Sequence, residues 1–228
     1  MIEEYINFNS DGRKIEGILS YDEDAGDLPV LLLCPPHPHL GGDMENNVIT
    51  TLGNVLAENG FVTLRFNYRG VGKSESVFDN IADKYSYWEN VLKNDDYADA
   101  LADATSALGY LESAIDTNRS FIVGYSFGAV VAMMLSVKSV NIRAFALIST
   151  PFGRFDPALL VGCIKPKLII CADNDFASSI EDVEEAMLNI PDPKRLEIFE
   201  NCDHFYIDKE HIIANKVHEF FICNSISY

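Results

Sequence analysis

Positively charged residues are scarce in this sequence. The 228 residues include 17 lysines and arginines against 35 aspartates and glutamates, so the formal net charge is −18. A surface of this sign repels phosphate backbones and anionic lipid headgroups. We therefore expect neither a nucleic acid nor a membrane as partner, and interpret the carboxylates as a solvated acidic surface. Charge alone leaves open whether the chain forms a homo-oligomer.

Long apolar runs and paired cysteines are also missing. The longest apolar runs, such as AVVAMML at 129–135, are far too short to span a bilayer. The first residues, MIEEYINFNS, lack the basic start and apolar centre of a signal peptide. An odd number of cysteines without a CxxC pair indicates reduced thiols, and we predict a cytoplasmic protein without a disulfide frame or zinc site. The cysteines are Cys34, Cys163, Cys171, Cys202 and Cys223.

What the sequence does contain is an alternation of short apolar strands and amphipathic helices. Segments such as VLLLC (30–34) and FIVGY (121–125) are apolar throughout, which indicates strands covered on both faces. Strands separated by helices predict an α/β fold, a parallel sheet with helices on both sides. No linker rich in proline, glycine or serine divides the chain, so we predict one domain over residues 1–228. The predicted strands are 2–8, 14–21, 30–34, 61–67, 121–125, 144–150, 167–172 and 195–200. The first predicted helix ends at Gly60, and the later ones cover 95–115, 127–138, 179–189 and 209–223.

The most informative motif is Gly124-Tyr125-Ser126-Phe127-Gly128, which follows a predicted strand and opens a predicted helix. A serine at such a sharp turn is held with its hydroxyl above the sheet. Glycine two residues before and after it removes a Cβ that would clash. The five-residue pattern is weak alone, but the strand before it and the helix after it are the context of a nucleophile. We predict Ser126 as nucleophile; the alternative is an inert serine in a turn of small residues.

A nucleophilic serine needs a base, and the base needs an orienting carboxylate. His204 follows the strand at 195–200, and both Asp173 and Asp175 follow the strand at 167–172. We predict Asp175 as the acid, because it lies further into the loop and can turn back toward His204. Asp173 directly follows the strand, so we expect it to cap or brace the loop. The other histidines fall in the last predicted helix or precede Ser126: His37, His39, His211 and His218.

Oxyanion donors are expected from the amide after the nucleophile and from the loop after the strand at 30–34. The first is the N–H of Phe127. In the loop, which reads PPHPHLGG, Pro36 and Pro38 have no N–H. We predict the N–H of His39 as the second donor, with Leu40 as the alternative. His37 and His39 lack a third ligand nearby in sequence, so we expect no metal.

Together these stretches resemble the α/β-hydrolase superfamily, and within it the small capless serine esterases similar to dienelactone hydrolases. The stretches that carry the resemblance are PPHPHLGGDMEN, NYRGVGKSES, GYSFGA, ADND and DHFY, which lie between residues 34 and 206. The resemblance implies an eight-stranded, mostly parallel sheet with an antiparallel second strand. It also implies hydrolysis of an ester or related acyl bond without a cofactor. Relatives often carry G-x-x-D at the acid loop; here Ala172 stands in place of that glycine.

Two further segments have alternative interpretations. GVGKS at 70–74 lacks the first glycine of a phosphate-binding loop, since position 67 is Asn, so we predict a turn there and expect Arg69 to brace the active-site loops. The aromatic segment 74–94 is either a small lid or acyl-pocket wall, or local packing. Residues 151–166 are too few for a helical cap. The predicted substrate contacts are Leu40, Tyr125, Trp88, Phe152 and Phe176.

We therefore predict a serine hydrolase that cleaves small carboxylic esters through an acyl-enzyme on Ser126. A thioesterase or an amide-bond hydrolase would use the same residues, and the sequence does not separate these three reactions. A third hypothesis is a non-catalytic protein of the same fold that binds a ligand or partner. The presence of all three triad residues argues against it.

Overall fold

The computed structural model describes residues 1–23 and 29–225 of the chain. These residues form eight strands, six α-helices and two short 3-10 turns, Pro38–Leu40 and Pro157–Leu160. The strands are β1 Ile2–Ser10, β2 Arg13–Tyr21, β3 Val30–Cys34, β4 Val62–Phe66, β5 Ser120–Tyr125, β6 Ile142–Ile148, β7 Lys167–Asn174 and β8 Lys194–Asp203. The helices are α1 Asn47–Glu58, α2 Ile81–Asn94, α3 Ala98–Ile115, α4 Phe127–Lys138, α5 Ile180–Asn189 and α6 Glu210–Ser225.

All eight strands belong to one sheet, in the order β1-β2-β4-β3-β5-β6-β7-β8. β2 pairs antiparallel with both β1 and β4, and the remaining neighbours are parallel. The predicted fold class, an α/β-hydrolase sheet with an antiparallel second strand, is therefore confirmed. Every residue of the central strands β3, β4 and β5 is buried, which explains why these segments are apolar without alternation.

Successive side chains of each strand enter opposite layers of the core. In β3, Leu31 and Leu33 pack with α1 and α6, while Leu32 and Cys34 pack in the layer that contains α3 and α4. Burial on both faces fixes the sheet between two helical layers. In the described part of the chain, none of the helices has both the length and the apolar character needed to cross a bilayer.

The segment 74–94 differs from a loop, because most of it forms α2. Asn80 caps the start of this helix by accepting from the N–H of Asp83. Asp95 ends it in the left-handed conformation, with φ 50°, and donates its N–H to Val91. The helix predicted near 95–115 therefore starts only at Ala98.

The turn at 67–74 is built around a buried carboxylate and not around a phosphate site. Glu16 accepts from Asn67 Nδ2 at 2.8 Å and from the N–H of Lys73 at 2.5 Å. Gly72 has φ 56°, and a Cβ there would lie 2.2 Å from Glu16 Oε1. Arg69 is buried and bonds Asp103 of α3 (Nη2 to Oδ1, 2.8 Å). Arg69 thus braces the turn against α3, and its carbonyl accepts from Trp88 Nε1 of α2 at 3.3 Å.

Candidate active site

Steric crowding explains the residues around Ser126. Ser126 joins β5 to α4 with φ 57° and ψ −118°, a conformation that non-glycine residues rarely adopt and that costs about 1–3 kcal/mol. A Cβ at position 124 would lie 2.0 Å from the carbonyl oxygen of Gly128. A Cβ at position 128 would lie 2.1 Å from that of Cys34. Only glycine fits both places, and the turn presents the Ser126 hydroxyl at the carboxyl ends of the strands.

Three side chains from different loops meet at this hydroxyl. His204 Nε2 lies 3.1 Å from Ser126 Oγ, and His204 Nδ1 lies 2.7 Å from Asp175 Oδ1. The Asp175 side chain is 1% exposed and that of His204 is 6% exposed. A carboxylate at Nδ1 keeps the ring proton on that nitrogen, which leaves Nε2 free to accept the serine proton. The structure thus brings together the three residues predicted as a triad.

Asp175 is held by several donors. Ser149 Oγ donates to its Oδ2 at 2.5 Å, and the N–H of Ala177 donates to its Oδ1 at 2.8 Å. The Tyr206 hydroxyl lies 2.7 Å from Ser149 Oγ and extends the network. Burial raises the pKa of Asp175, but the hydrogen bonds from His204, Ser149 and Ala177 outweigh it and hold the pKa below its ordinary value. The sequence analysis missed Ser149, although its place directly after β6 could have indicated it.

Asp173 has a different task. Its two oxygens accept from the N–H groups of Asn201, at 2.8 Å, and Cys202, at 3.0 Å. From the other side, the Tyr125 hydroxyl donates to the carbonyl of His204 at 2.5 Å. Asp173 and Tyr125 together fix the backbone of the loop that carries His204. This matches the expectation that the second aspartate braces the loop.

The loop after β3 does not offer the predicted oxyanion donors. The N–H of His39 donates to His37 Nδ1 at 3.1 Å, and the N–H of Leu40 donates to the carbonyl of His37 at 3.0 Å. Both amides are therefore used inside the 3-10 turn, which corrects the choice of His39 and of Leu40. Elimination of the prolines could not reveal these bonds, because they depend on how the turn closes.

At the site, the amides of Phe127 and His37 have no acceptor among the described residues 1–23 and 29–225. Phe127 starts α4, where the first N–H groups have no partner within the helix. The peptide before His37 packs closely on Gly42, where a Cβ would lie 2.3 Å from the carbonyl oxygen of Pro36. Burial first, and then electrostatic interaction with the neighbouring His39 and Arg154 side chains, lower the pKa of His37 to about 4. Its ring is therefore neutral at neutral pH and can accept at Nδ1.

Two cavities, of about 270 Å³ and about 260 Å³, meet at Ser126. Both are lined by Leu40 and Phe176, whose side chains are exposed and form an apolar rim. The Phe176 ring centroid lies 4.3 Å from that of His204. Tyr125 lines the smaller cavity. The structure thus places three of the five predicted substrate contacts at the nucleophile.

The other two lie elsewhere. Trp88 is 3% exposed and packs beneath His37 and Phe127, with ring centroids 5.6 Å and 6.2 Å away, so it supports the floor of the site. Phe152 is also buried and lines a separate cavity of about 550 Å³, to which Ser126 and His204 do not contribute. Local packing explains both aromatic side chains.

The cavity walls also contain residues that the sequence analysis missed. Leu92 and Asp95, at the end of α2, line the larger cavity together with Tyr97 and Arg154. Of the two interpretations of segment 74–94, both apply in part, since Trp88 packs and Leu92 lines a wall. Within the described ranges, no three His, Cys, Asp or Glu side chains are grouped so that they could hold a metal ion.

Comparison with known proteins finds relatives that match most of this chain. A sequence model of the dienelactone hydrolase family matches residues 37–219. The uncharacterized protein RP471 of Rickettsia prowazekii is 29% identical over 232 residues, covering 98% of this chain and 90% of that protein.

Two solved structures are similar over almost their whole length. A protein of unknown function from Agrobacterium tumefaciens, ATU1826, is 26% identical, with a TM-score of 0.79 and coverage of 96% of this chain and 94% of that one. A serine hydrolase homologue from Coxiella burnetii is 23% identical, also with a TM-score of 0.79, covering 96% and 97% of the two chains. At this identity the second likeness supports the fold alone.

Proposed function

We propose that this chain, a hydrolase that belongs to the dienelactone hydrolase family, cleaves carboxylic esters through an acyl-enzyme formed on Ser126. The observation that carries the proposal is the hydrogen-bonded chain from Ser126 through His204 to Asp175, with distances of 3.1 Å and 2.7 Å. An inert serine would have no need for a buried histidine and carboxylate that are aligned on it.

Each residue has a defined role in the proposed reaction. Ser126 Oγ attacks the ester carbonyl while His204 Nε2 takes its proton, and Asp175 stabilises the imidazolium that forms. The alcohol leaves with the proton returned by His204. Water then repeats the sequence on the acyl-enzyme, which releases the acid and regenerates Ser126.

The oxyanion of each tetrahedral intermediate receives hydrogen bonds from the N–H groups of Phe127 and His37. This assignment is supported by their lack of acceptors in the described part of the chain and by the closed turn that follows His37. His37 Nδ1 holds that turn by accepting from His39, so the donor is fixed before the substrate arrives. Fixed donors stabilise developing charge without reorganisation during the reaction.

The surroundings of Ser126 favour small esters with apolar parts. Between β6 and β7 the chain forms only the turn Pro157–Leu160, so no helical cap covers the site there. Leu40 and Phe176 are 62% and 66% exposed, and both line the cavities. Apolar walls with a few polar groups at the reacting centre are typical of small-molecule sites.

Turnover of p-nitrophenyl acetate and butyrate tests the proposal. We expect Ser126→Ala to lose about 10⁴-fold or more in kcat, because the nucleophile acts as one unit with its base. Ser139→Ala, at the other end of α4, is the matched control and should keep full activity. A Ser126→Ala variant with wild-type turnover would refute the nucleophile.

Two further measurements define the reaction. A fluorophosphonate should label Ser126, as mapped by mass spectrometry, and labelling of another serine instead would contradict the assigned roles. Phenyl butyrate and its thiophenyl analogue separate the ester from the thioester reaction. If kcat/KM for the thioester is more than about tenfold higher than for the ester, the protein is a thioesterase and the proposed ester specificity is wrong.

A further inference from the structure

The two cavities at Ser126 differ in their relation to His204. His204 lines the cavity of about 260 Å³ and does not line the one of about 270 Å³. On the proposed function, the proton held by His204 Nε2 must pass to the leaving oxygen, which lies within hydrogen-bond reach of that nitrogen. The alcohol therefore occupies the 260 Å³ cavity, here called the alcohol cavity, and the acyl group occupies the other, the acyl cavity.

Two segments far apart in sequence line the acyl cavity, and each is here called a wall. One is the loop after β6, which contributes Pro151 and Arg154, and the other is the end of α2, which contributes Leu92 and Asp95. Tyr97 adds an aromatic ring that stacks on Phe127 with a centroid distance of 4.9 Å. This lining suits the hydrocarbon part of an acyl group.

A single guanidinium joins the two walls. Arg154 Nη2 donates to Asp95 Oδ1 and to the carbonyl oxygen of Leu92, both at 2.9 Å. These two hydrogen bonds are here called the tie. The Arg154 and Asp95 side chains are 49% and 46% exposed, so the tie lies where the acyl cavity meets solvent. Asp95 itself is fixed as the left-handed end of α2.

We propose that the Arg154–Asp95 pair sets the acyl-chain specificity by closing the acyl cavity against long chains. Short acyl groups fit between Ser126 and the tie. A longer chain has to pass between the two walls, which breaks both hydrogen bonds of the guanidinium. Since exposed ion pairs contribute little to stability, removal of the pair changes selectivity without unfolding the protein.

Acyl-chain selectivity of p-nitrophenyl acetate, butyrate and octanoate tests this assignment. In Arg154→Met we expect the kcat/KM ratio of octanoate to acetate to rise about tenfold, the gain from burying roughly two more methylene groups. The gain should be confined to octanoate, because a short chain does not reach the tie. Asp95→Asn places a residue at position 95 that tolerates the left-handed conformation, and the bond from Arg154 to the Leu92 carbonyl remains. Its octanoate-to-acetate ratio should therefore rise less than that of Arg154→Met.

Arg195→Met is the matched control. Arg195 is another partly exposed arginine in an ion pair, with Glu197 on β8, and it lines neither cavity. Its removal should leave the chain-length ratio unchanged. An equal shift in Arg195→Met and Arg154→Met would attribute the effect to net charge and overturn the proposal. So would an Arg154→Met defect confined to the monosuccinate ester of 4-nitrophenol, which would make Arg154 a carboxylate receptor.

Binding without turnover separates this inference from the proposed function. In Ser126→Ala, quenching of Trp88, the only tryptophan, by the nitrophenyl group reports affinity for the same three esters. Adding Arg154→Met should tighten binding of octanoate relative to acetate about tenfold. If the wild-type protein hydrolyses none of the three esters but that shift appears, the proposed function fails and the chain-length role stands. Unchanged ratios in both assays overturn the chain-length role alone.

Discussion

The two sides of the candidate site are held in different ways. On the side of His204, buried groups are linked by short polar contacts, from Tyr206 through Ser149 and Asp175 to the imidazole. On the side of α2, contact is made by aromatic rings and by one half-exposed ion pair, Arg154–Asp95. The groups proposed to move protons thus sit on rigid strand ends, and the wall proposed to select the acyl group is attached at the surface. Such a division allows selectivity to change while the reacting groups keep their geometry.

The largest effect is expected from the two neighbouring aspartates on the His204 side. Asp175→Asn should lower kcat about 10⁴-fold, because an amide no longer fixes the proton on His204 Nδ1. Asp173→Asn is the matched control and should cost much less, since Asp173 accepts from the backbone of Asn201 and Cys202 and from Asn174 Nδ2, whereas Asp175 bonds the ring of His204. Steady-state kinetics with p-nitrophenyl butyrate measure both. Equal losses would mean that the loop, and not the carboxylate at the ring, is what matters.

A smaller effect on kcat is expected from the loop after β3. His37→Phe removes the acceptor for the N–H of His39 and should lower kcat about 10²-fold with little change in KM, as for loss of an oxyanion donor. His37→Asn should recover most of the activity, because an asparagine side chain accepts from the amide two residues ahead. If His37→Phe keeps its activity and His37→Asn loses it, ring packing against Phe127 and Trp88 explains the role of His37.

A smaller effect is expected on the pH dependence of stability, which tests the buried network on the His204 side. The folded pKa of Asp175 is depressed, so its carboxylate adds stability above its unfolded pKa, and this is lost as pH falls through the folded pKa. Ser149→Ala removes one donor, raises that folded pKa, and should cost about 1–3 kcal/mol at neutral pH. Acid destabilisation should then begin at a higher pH. Urea unfolding across pH checks this, with Tyr206→Phe, which keeps the Ser149–Asp175 bond, as the milder control.

The smallest effect is expected at the exposed rim. Phe176→Ala removes apolar contact with the substrate and should raise KM about fivefold at constant kcat, in line with partial burial of one ring. Phe152→Ala, which lines the separate cavity, should leave KM unchanged. A fall in kcat for Phe176→Ala would instead show that its ring, 4.3 Å from that of His204, helps to orient the imidazole.

The sequence predicted the features that depend on local sterics and periodicity. Apolar strands without alternation indicated a sheet covered on both sides, and the glycines around Ser126 indicated the strained turn. It could not show that Leu40 and Phe176 line the cavities at Ser126 whereas Trp88 and Phe152 are buried by packing. An aromatic residue on a loop or helix packs inward or faces the substrate depending on segments far away in sequence. The helix α2 escaped prediction for the same reason, because its buried face packs on residues near His37.

The sequence by itself therefore determined the fold, the turn at Ser126 and the order in which serine, aspartate and histidine follow one another. Those properties follow from the spacing of residues along the chain and from the volume of a Cβ. Position in the loop also favoured Asp175 over Asp173 as the partner of His204. Only the tertiary structure decided that the amide of His37 and not that of His39 is free. That choice depends on which hydrogen bonds the turn makes within itself when it closes, and the spacing of residues along the chain does not reveal them.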